Sequence, residues 1–298
     1  TPKDQFGLVT DALALSQAGY QPMAPALDLL DAVSPASSAK VQAELMGRWE
    51  ALYGLINDDS AAQAKLAGHV GDRFAPSLNR LGFAPKADEP LLDNALRVQL
   101  ITALGNMGDA RVLAEGRRLF EALDRNPTAM DGPLRQSWLQ IIARNADRPT
   151  WDKLHALAKA SSSALERSTL YQLLGRVRDP ALAKAALDLA LTAEPGKTDS
   201  AAIISAVAQG HPDLTTDFAL AHLPQVEGMI DGSGRSGYIA RLAGESRDPA
   251  MVAKLRDYAQ KHLPEQSRGQ IEQAINRLEM RQRLEPAVRA GVKDWLAH

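Results

Sequence analysis

The residues of this chain with the chemistry to act on something are six histidines, a pair of adjacent aspartates and one glycine-rich hexapeptide. The histidines are His69, His155, His211, His222, His262 and His298. A metal-binding H-E-x-x-H helix sets two histidines four residues apart, with a glutamate after the first, so that both rings face one ion. No pair here has that spacing. Gly232-Ser233-Gly234-Arg235-Ser236-Gly237 has the G-x-G-x-x-G spacing, whose backbone N–H groups can close on a pyrophosphate when a strand precedes it. Residues 221–230 read as helix or irregular chain, so the hexapeptide is expected to be a flexible connection between helices. No serine lies in G-x-S-x-G and no lysine follows a glycine-rich phosphate loop. There are no cysteines, which removes disulfides, thiolate metal sites, iron–sulfur clusters and a cysteine nucleophile together. Asp58-Asp59 could share acid–base work, but they stand before Ser60, read as an N-cap with Gln63 completing a capping box. No catalytic, cofactor-binding or metal-ligating residue is assigned.

The elements that would position any such group are helical throughout. Val41, Leu45, Met46, Trp49, Leu52, Tyr53 and Ile56 recur at three- and four-residue steps, which lines one face of an α-helix. Leu66, Val70, Phe74, Leu78 and Leu81 do the same and stop at Gly82, a natural C-terminal cap. Leu92, Leu96, Leu100, Ile101 and Leu104 form a third stripe, expected to end at Gly105. Period-two alternation is absent, and aromatic residues are only 5%, too few for an extensive sheet. Trp49, Trp138, Trp151 and Trp295 lie on or beside apolar stripes and are assigned mainly to the core. The expected fold class is all-α.

The helix starts repeat. Arg178-Asp179-Pro180-Ala181-Leu182 and Arg247-Asp248-Pro249-Ala250-Met251 are nearly one pentapeptide, with Arg148-Pro149-Thr150 and His211-Pro212-Asp213 as looser relatives. Aspartate before proline suits an N-cap followed by the first helical residue, since the carboxylate accepts a free N–H and proline has none to leave unpaired. Gly108-Asp109-Ala110-Arg111 is a candidate earlier start. Prolines 149, 180, 212 and 249 stand 31, 32 and 37 residues apart. One helix pair per step makes this a degenerate solenoid of antiparallel pairs, HEAT/ARM-like or tetratricopeptide-like, curved or bowl-shaped. Residues 1–298 are read as one elongated helical-repeat domain. Within it, 264–298 forms the closing helices, broken or kinked at Pro286, with Arg277, Arg281, Arg283 and Arg289 on the solvated side. The loosest stretches are Ser34 to Ser38, Ala84 to Pro90 and Thr192 to Ser200.

Composition bounds the partners. Lys+Arg 34 against Asp+Glu 36, with the signs interspersed, builds no basic face and argues against nucleic acid. The apolar runs fall far short of the roughly 18 residues of a membrane span. Thr1-Pro2-Lys3-Asp4 lacks an initiator methionine and a signal-peptide pattern, and reads as a boundary cut from a longer chain. The compartment is left as periplasm or cytoplasm, the missing cysteines leaning slightly to the periplasm.

Several segments in order resemble the C-terminal helical region of the aminopeptidase N and puromycin-sensitive class of zinc aminopeptidases, which includes the antigen-trimming enzymes. They are Ala12 to Gly19, Ala26-Leu27-Asp28-Leu29-Leu30, Leu96-Arg97 through Leu104, Gly108-Asp109, and Ala114-Glu115 to Leu119-Phe120. Trp151-Asp152-Lys153-Leu154, Glu166-Arg167, Leu174-Gly175-Arg176 with Asp179-Pro180, and the stretch from Glu272 to Trp295-Leu296 follow. The resemblance, taken as that of a bacterial member, implies a non-catalytic domain that caps the active site, forms the substrate chamber and controls peptide access. It implies an upstream thermolysin-like domain of the same polypeptide holding the zinc, peptides as substrates, and no nucleic-acid or membrane partner. It also places Arg176 and Tyr53 where some members bind the substrate's C-terminal carboxylate. The lysine that follows the tyrosine in some relatives is Gly54 here, and an Arg176–Asp179 ion pair is the local alternative. A stand-alone helical scaffold for a protein partner is the rival function. Cut from its catalytic domain, the isolated piece is expected to expose the apolar patch that meets that domain and so to self-associate.

Overall fold

The computed structural model describes residues 2–86 and 88–298; Thr1, and Ala87 within the loose stretch before Pro90, lie outside the described residues. Sixteen α-helices and a 3-10 turn make up the described chain, and no strand occurs among the described residues. The all-α expectation holds. The chain divides into two compact units, one of Thr1–Ile141 with Leu284–His298, the other of Ile142–Arg283.

The first unit contains α1 (Pro2–Gln17), α2 (Ala24–Ala32), α3 (Ala39–Leu55), α4 (Ser60–Leu81), α5 (Leu91–Met107) and α6 (Ala110–Ala122). The α3 stripe is its centre: Leu45, Met46, Trp49, Leu52 and Ile56 are all buried against α5 and α4. Gly82 caps α4 with φ 68, its N–H returning to the Leu78 carbonyl. The third stripe differs from expectation. Helix α5 runs past Gly105 to Met107 and is closed by Gly108, at φ 88 in the left-handed conformation that glycine adopts without strain. Gly105 instead serves close approach, because a Cβ there would stand 2.7 Å from the Ile141 side chain. Asp109 then caps α6 by accepting the N–H groups of Arg111 and Val112. The N-cap of α4 is Asp59 rather than Ser60, and Gln63 reaches the Tyr53 carbonyl instead of closing a capping box.

A connection absent from the sequence reading separates α6 from α7 (Arg135–Arg144). Asn126-Pro127 and Gly132-Pro133 were the local breaker signals for it, while buried Met130 and Leu134 hold it down.

The second unit continues through α8 (Arg148–Ala160), α9 (Ala164–Leu174), α10 (Pro180–Ala190), α11 (Lys197–Ala208), α12 (Pro212–Ala221), α13 (Leu223–Glu227), α14 (Gly232–Leu242) and α15 (Met251–His262). The 3-10 turn Glu265–Ser267 leads to α16 (Gly269–Ala297). Asp179 caps α10 as the Asp-Pro pattern predicts, while the cap of α8 is Asp147, one residue ahead of the Arg148-Pro149 pair, each such cap being worth about 1 kcal/mol. Asp248 accepts the Ala250 N–H one turn before α15 begins. The hexapeptide 232–237 is not a connection: it is the first part of α14, entered from Asp231, and buried Tyr238, Ile239 and Leu242 draw the chain into helix. Lys197 to Ser200, read as loop, is likewise the first turn of α11.

Bonds between successive inter-helix loops reveal a period that the prolines blur. The Arg178 N–H reaches the Arg144 carbonyl and the His211 ring the Val177 carbonyl, 34 residues back. Ser246 reaches Asp213, 33 back, and Gln282 the Asp248 carbonyl, 34 back. The second unit thus repeats every 33 or 34 residues, close to the roughly 34 of tetratricopeptide pairs and short of the ~40–47 of HEAT and armadillo units. The helix starts themselves stay uneven, since Arg148, Pro180, Pro212 and Met251 stand 32, 32 and 39 residues apart and the last span contains the extra short helix α13.

Residues 264–298 do not form two helices. Helix α16 is continuous through Pro286. Proline deletes one backbone bond and crowds the preceding turn, and the buried stripe Ile271, Ala274, Ile275, Leu278, Val288 and Val292 on both sides of it offsets that loss.

Candidate functional site

Arg176 and Tyr53 lie in different units. Tyr53 sits in the last turns of α3 with its ring buried, and its hydroxyl donates a long 3.5 Å hydrogen bond to the Met107 carbonyl. Gly54 follows it in the same helix.

Arg176 stands on the short link between α9 and α10, which is fixed from several sides. Gly175 ends α9 where a Cβ would meet the Ile203 carbonyl at 2.7 Å, so a side chain there would push α11 away. Val177 is buried, and its carbonyl accepts the His211 Nε2–H at 2.9 Å. Arg178 is tied to Arg144 and to the Asn145 side chain. Asp179 spends its carboxylate on the N–H groups of Ala181 and Leu182. The local ion pair with Asp179 is therefore not formed. Arg176 is half-buried and makes no side-chain hydrogen bond or ion pair among the described residues. A guanidinium held in place and left unpaired can take a carboxylate through two parallel N–H bonds.

The second unit also contains a polar cluster that the sequence reading missed. Glu194, in the α10–α11 loop, accepts hydrogen bonds from His155, from the Tyr171 hydroxyl at 3.1 Å, and from Lys159 at 3.3 Å. Burial opposes the charge, but the bonds from His155, Lys159 and Tyr171 outweigh it and hold the Glu194 carboxyl below its ordinary value. Burial first, and then the Glu194 charge, pushes the Tyr171 phenol up. Trp151 packs against His155, with its indole N–H on the Leu174 carbonyl and the Arg148 guanidinium 5.5 Å from its ring centroid. A carboxylate already engaged by three donors is a clasp between α8, α9 and the α10–α11 loop. A lone glutamate in Thr192 to Gly196 was the only sequence signal, and its partners lie 23 to 39 residues away.

The remaining histidines are dispersed. His69 bonds Asp31 at 2.8 Å in the first unit, while His222 and His262 lie against Phe218 and Tyr258 in the second. Among the described residues no three histidine, aspartate or glutamate side chains converge as a metal ion would require. No helix among them is long and apolar enough to cross a membrane.

Comparison with known proteins adds the relationship. A family model described as the ERAP1-like C-terminal domain matches residues 1–280. The chain is similar to aminopeptidase M1-D of Oryza sativa subsp. japonica, 26% identical over 212 residues, covering 68% of this chain and 24% of the relative. It is similar to aminopeptidase 2 of Candida albicans, 26% identical over 180 residues, covering 60% and 20%. Aminopeptidase M1 of Arabidopsis thaliana is 24% identical over 209 residues, covering 67% and 23%. These are plant and yeast proteins, so the expectation of a bacterial source finds no support in them. The chain spans less than a quarter of the length of these curated relatives.

Proposed function

The chain belongs to the ERAP1-like C-terminal domain family, and from that premise we propose that it is the non-catalytic C-terminal domain of a zinc metallo-aminopeptidase, capping the active site, forming the substrate chamber and controlling peptide access. Coverage carries the reading: the family match takes in nearly the whole chain, while the matched stretch is only about a quarter of the aminopeptidases it resembles. The zinc and the bond-breaking residues then belong to an upstream thermolysin-like domain of the same polypeptide. This domain's share of the work is to admit peptides, exclude folded proteins and shut out water, which strengthens electrostatic interactions at the metal. Stacked helix pairs suit the role, because a solenoid face offers many shallow contacts along an extended chain.

Within this reading Arg176 takes the peptide's C-terminal carboxylate. The test is a pair of long peptides, one with a free C-terminus and one amidated, given to the full-length enzyme and to its Arg176→Ala variant. The free acid should bind about tenfold better to the wild type, a difference of ~1.4 kcal/mol, and the variant should lose that preference. Equal affinity for acid and amide in the wild type would remove the carboxylate role.

The domain's contact with the catalytic part is assigned to apolar side chains left exposed in the first unit. Leu8 and Leu15, seven residues apart on α1, are 61% and 47% exposed, and Tyr20 beyond the helix is 81% exposed. Equilibrium sedimentation of the 298-residue chain should show concentration-dependent association, weakened by Leu8→Glu with Leu15→Glu. A monomer at all concentrations would contradict that assignment.

A further inference from the structure

A groove in the second unit, with a volume of about 540 Å³, lies between α12–α13 and α15. Leu220, Leu223 and Pro224 form its apolar wall, and Lys254, Asp257, Tyr258, Lys261, His262 and Glu227 supply polar groups. A volume of that order accommodates a long side chain with its flanking backbone.

The charges around the groove do not balance locally. Lys254 is held by Asp217 at 2.6 Å and Asp248 at 3.3 Å, and Lys261 by Asp257 at 2.8 Å. Both ammonium groups therefore already have carboxylates. Glu227, half-buried at the end of α13, has no hydrogen bond or ion pair among the described residues. Tyr258 is 2% exposed, yet its hydroxyl has no hydrogen-bond partner. A buried hydroxyl without a partner is uncommon without a reason. His262 stacks on the Tyr258 ring at 5.4 Å and 21°, fixing the plane of the phenol. Burial, reinforced by the Glu227 charge, raises the phenol's pKa, so the group remains a neutral hydroxyl able to accept an N–H.

We propose that this groove binds the guanidinium or ammonium of a basic side chain carried by a peptide, with Glu227 as its counter-charge, the Tyr258 hydroxyl as a second acceptor, and Leu220, Leu223 and Pro224 along its aliphatic stem. An anion is the poorer fit, since it would approach unpaired Glu227 and would have to draw Lys254 and Lys261 from carboxylates that already hold them. The inference is independent of the aminopeptidase reading, because it uses only side chains of the second unit.

The experiment is amide chemical-shift titration of the 298-residue chain with Ac-Gly-Gly-Arg-Gly-Gly-NH2 and its leucine and glutamate counterparts. The arginine peptide should shift amides of residues 220–228 and 254–262 with a millimolar dissociation constant, the range of roughly −4 kcal/mol. Glu227→Gln should weaken that binding about fivefold or more, the scale of one charge-assisted bond. Tyr258→Phe should weaken it less while raising the melting temperature, because it deletes an unsatisfied hydroxyl and no volume. Equal binding of the leucine peptide, tighter binding of the glutamate peptide, or full affinity in Glu227→Gln with native circular dichroism would each overturn the proposal.

Discussion

The two units are closed by different means. In the second, each loop is bonded to the loop one repeat earlier, through Arg178–Arg144, His211–Val177, Ser246–Asp213 and Gln282–Asp248. In the first, the ends of the chain meet. The C-terminal half of α16 returns to it, where Arg289 and Lys293 pair with Asp58, Lys293 also with Asp59, and the Trp295 indole N–H bonds Asp28 at 2.8 Å. Trp295 also packs on Trp49 and His69, with ring centroids 5.8 and 5.4 Å apart. A bond between residues 267 apart must order the ends of the whole chain before it contributes, whereas a 34-residue step orders one helix pair. The second unit is therefore assembled from neighbours and the first from distant segments.

Removing residues 284–298 is the severest way to break that contrast. It strips buried Val288 and Val292 and the cover over Trp49 from the first unit only, a loss on the order of 5 kcal/mol from apolar burial. Hydrogen exchange should quicken in α2–α4 and stay near its original rate in α9–α12. Equal loss in both regions would contradict the division.

Two glycines sharpen the contrast at shorter range. At Gly175 the obstacle to a Cβ is the Ile203 backbone carbonyl, whereas at Gly105 it is the Ile141 side chain, whose stiff β-branched γ carbons would have to be displaced. Gly175→Ala should cost about 3 kcal/mol and Gly105→Ala about 2 kcal/mol, within the range for overpacking. Urea unfolding of the two variants checks the order, and the reverse order would refute the argument from backbone contact.

A smaller effect is expected from His211→Ala, which removes the His211–Val177 bond and leaves a buried carbonyl unpaired, at about 1 kcal/mol. Exchange should quicken around α9–α12 and not in α3–α5.

The smallest effect is electrostatic. Burial works against the Asp58 charge, but hydrogen bonds from Arg289 and Lys293 prevail and lower its pKa from the ordinary 3.8. Its contribution is thus complete above 3.8 and disappears as pH falls through the lower folded value. With 47% of the side chain exposed, solvent screening holds it under about 1 kcal/mol. Asp58→Asn should remove that part of the acid sensitivity of α16 anchoring, read from Trp295 fluorescence against pH; an unchanged profile would exclude Asp58 as its source.

These contrasts account for what was legible in the amino-acid sequence. The α3 and α4 stripes, the Asp179-Pro180 start and the Gly82 cap rest on spacings within a few residues, and all stand in the structure. Gly105 and the hexapeptide 232–237 misled because a glycine reads as a break whether it caps a helix or admits a neighbour. Here burial of Ile141 and Tyr238 decided, and no local pattern carries that information. Glu194 with His155 and Tyr171, and Glu227 with Tyr258, were invisible for a related reason, since each pairs residues on different helices. Arg176 became visible through resemblance, and only the structure showed that Asp179 leaves it unpaired.

The most direct test of the assignment as a non-catalytic part of an aminopeptidase is to measure amino-terminal cleavage by this 298-residue chain beside a chain extended upstream through its parent gene, both supplied with zinc. Cleavage by the extended chain alone, abolished by a chelator and restored by zinc, is the predicted result. Cleavage by the 298-residue chain itself, or an extended chain that neither binds zinc nor cleaves peptides, would contradict it.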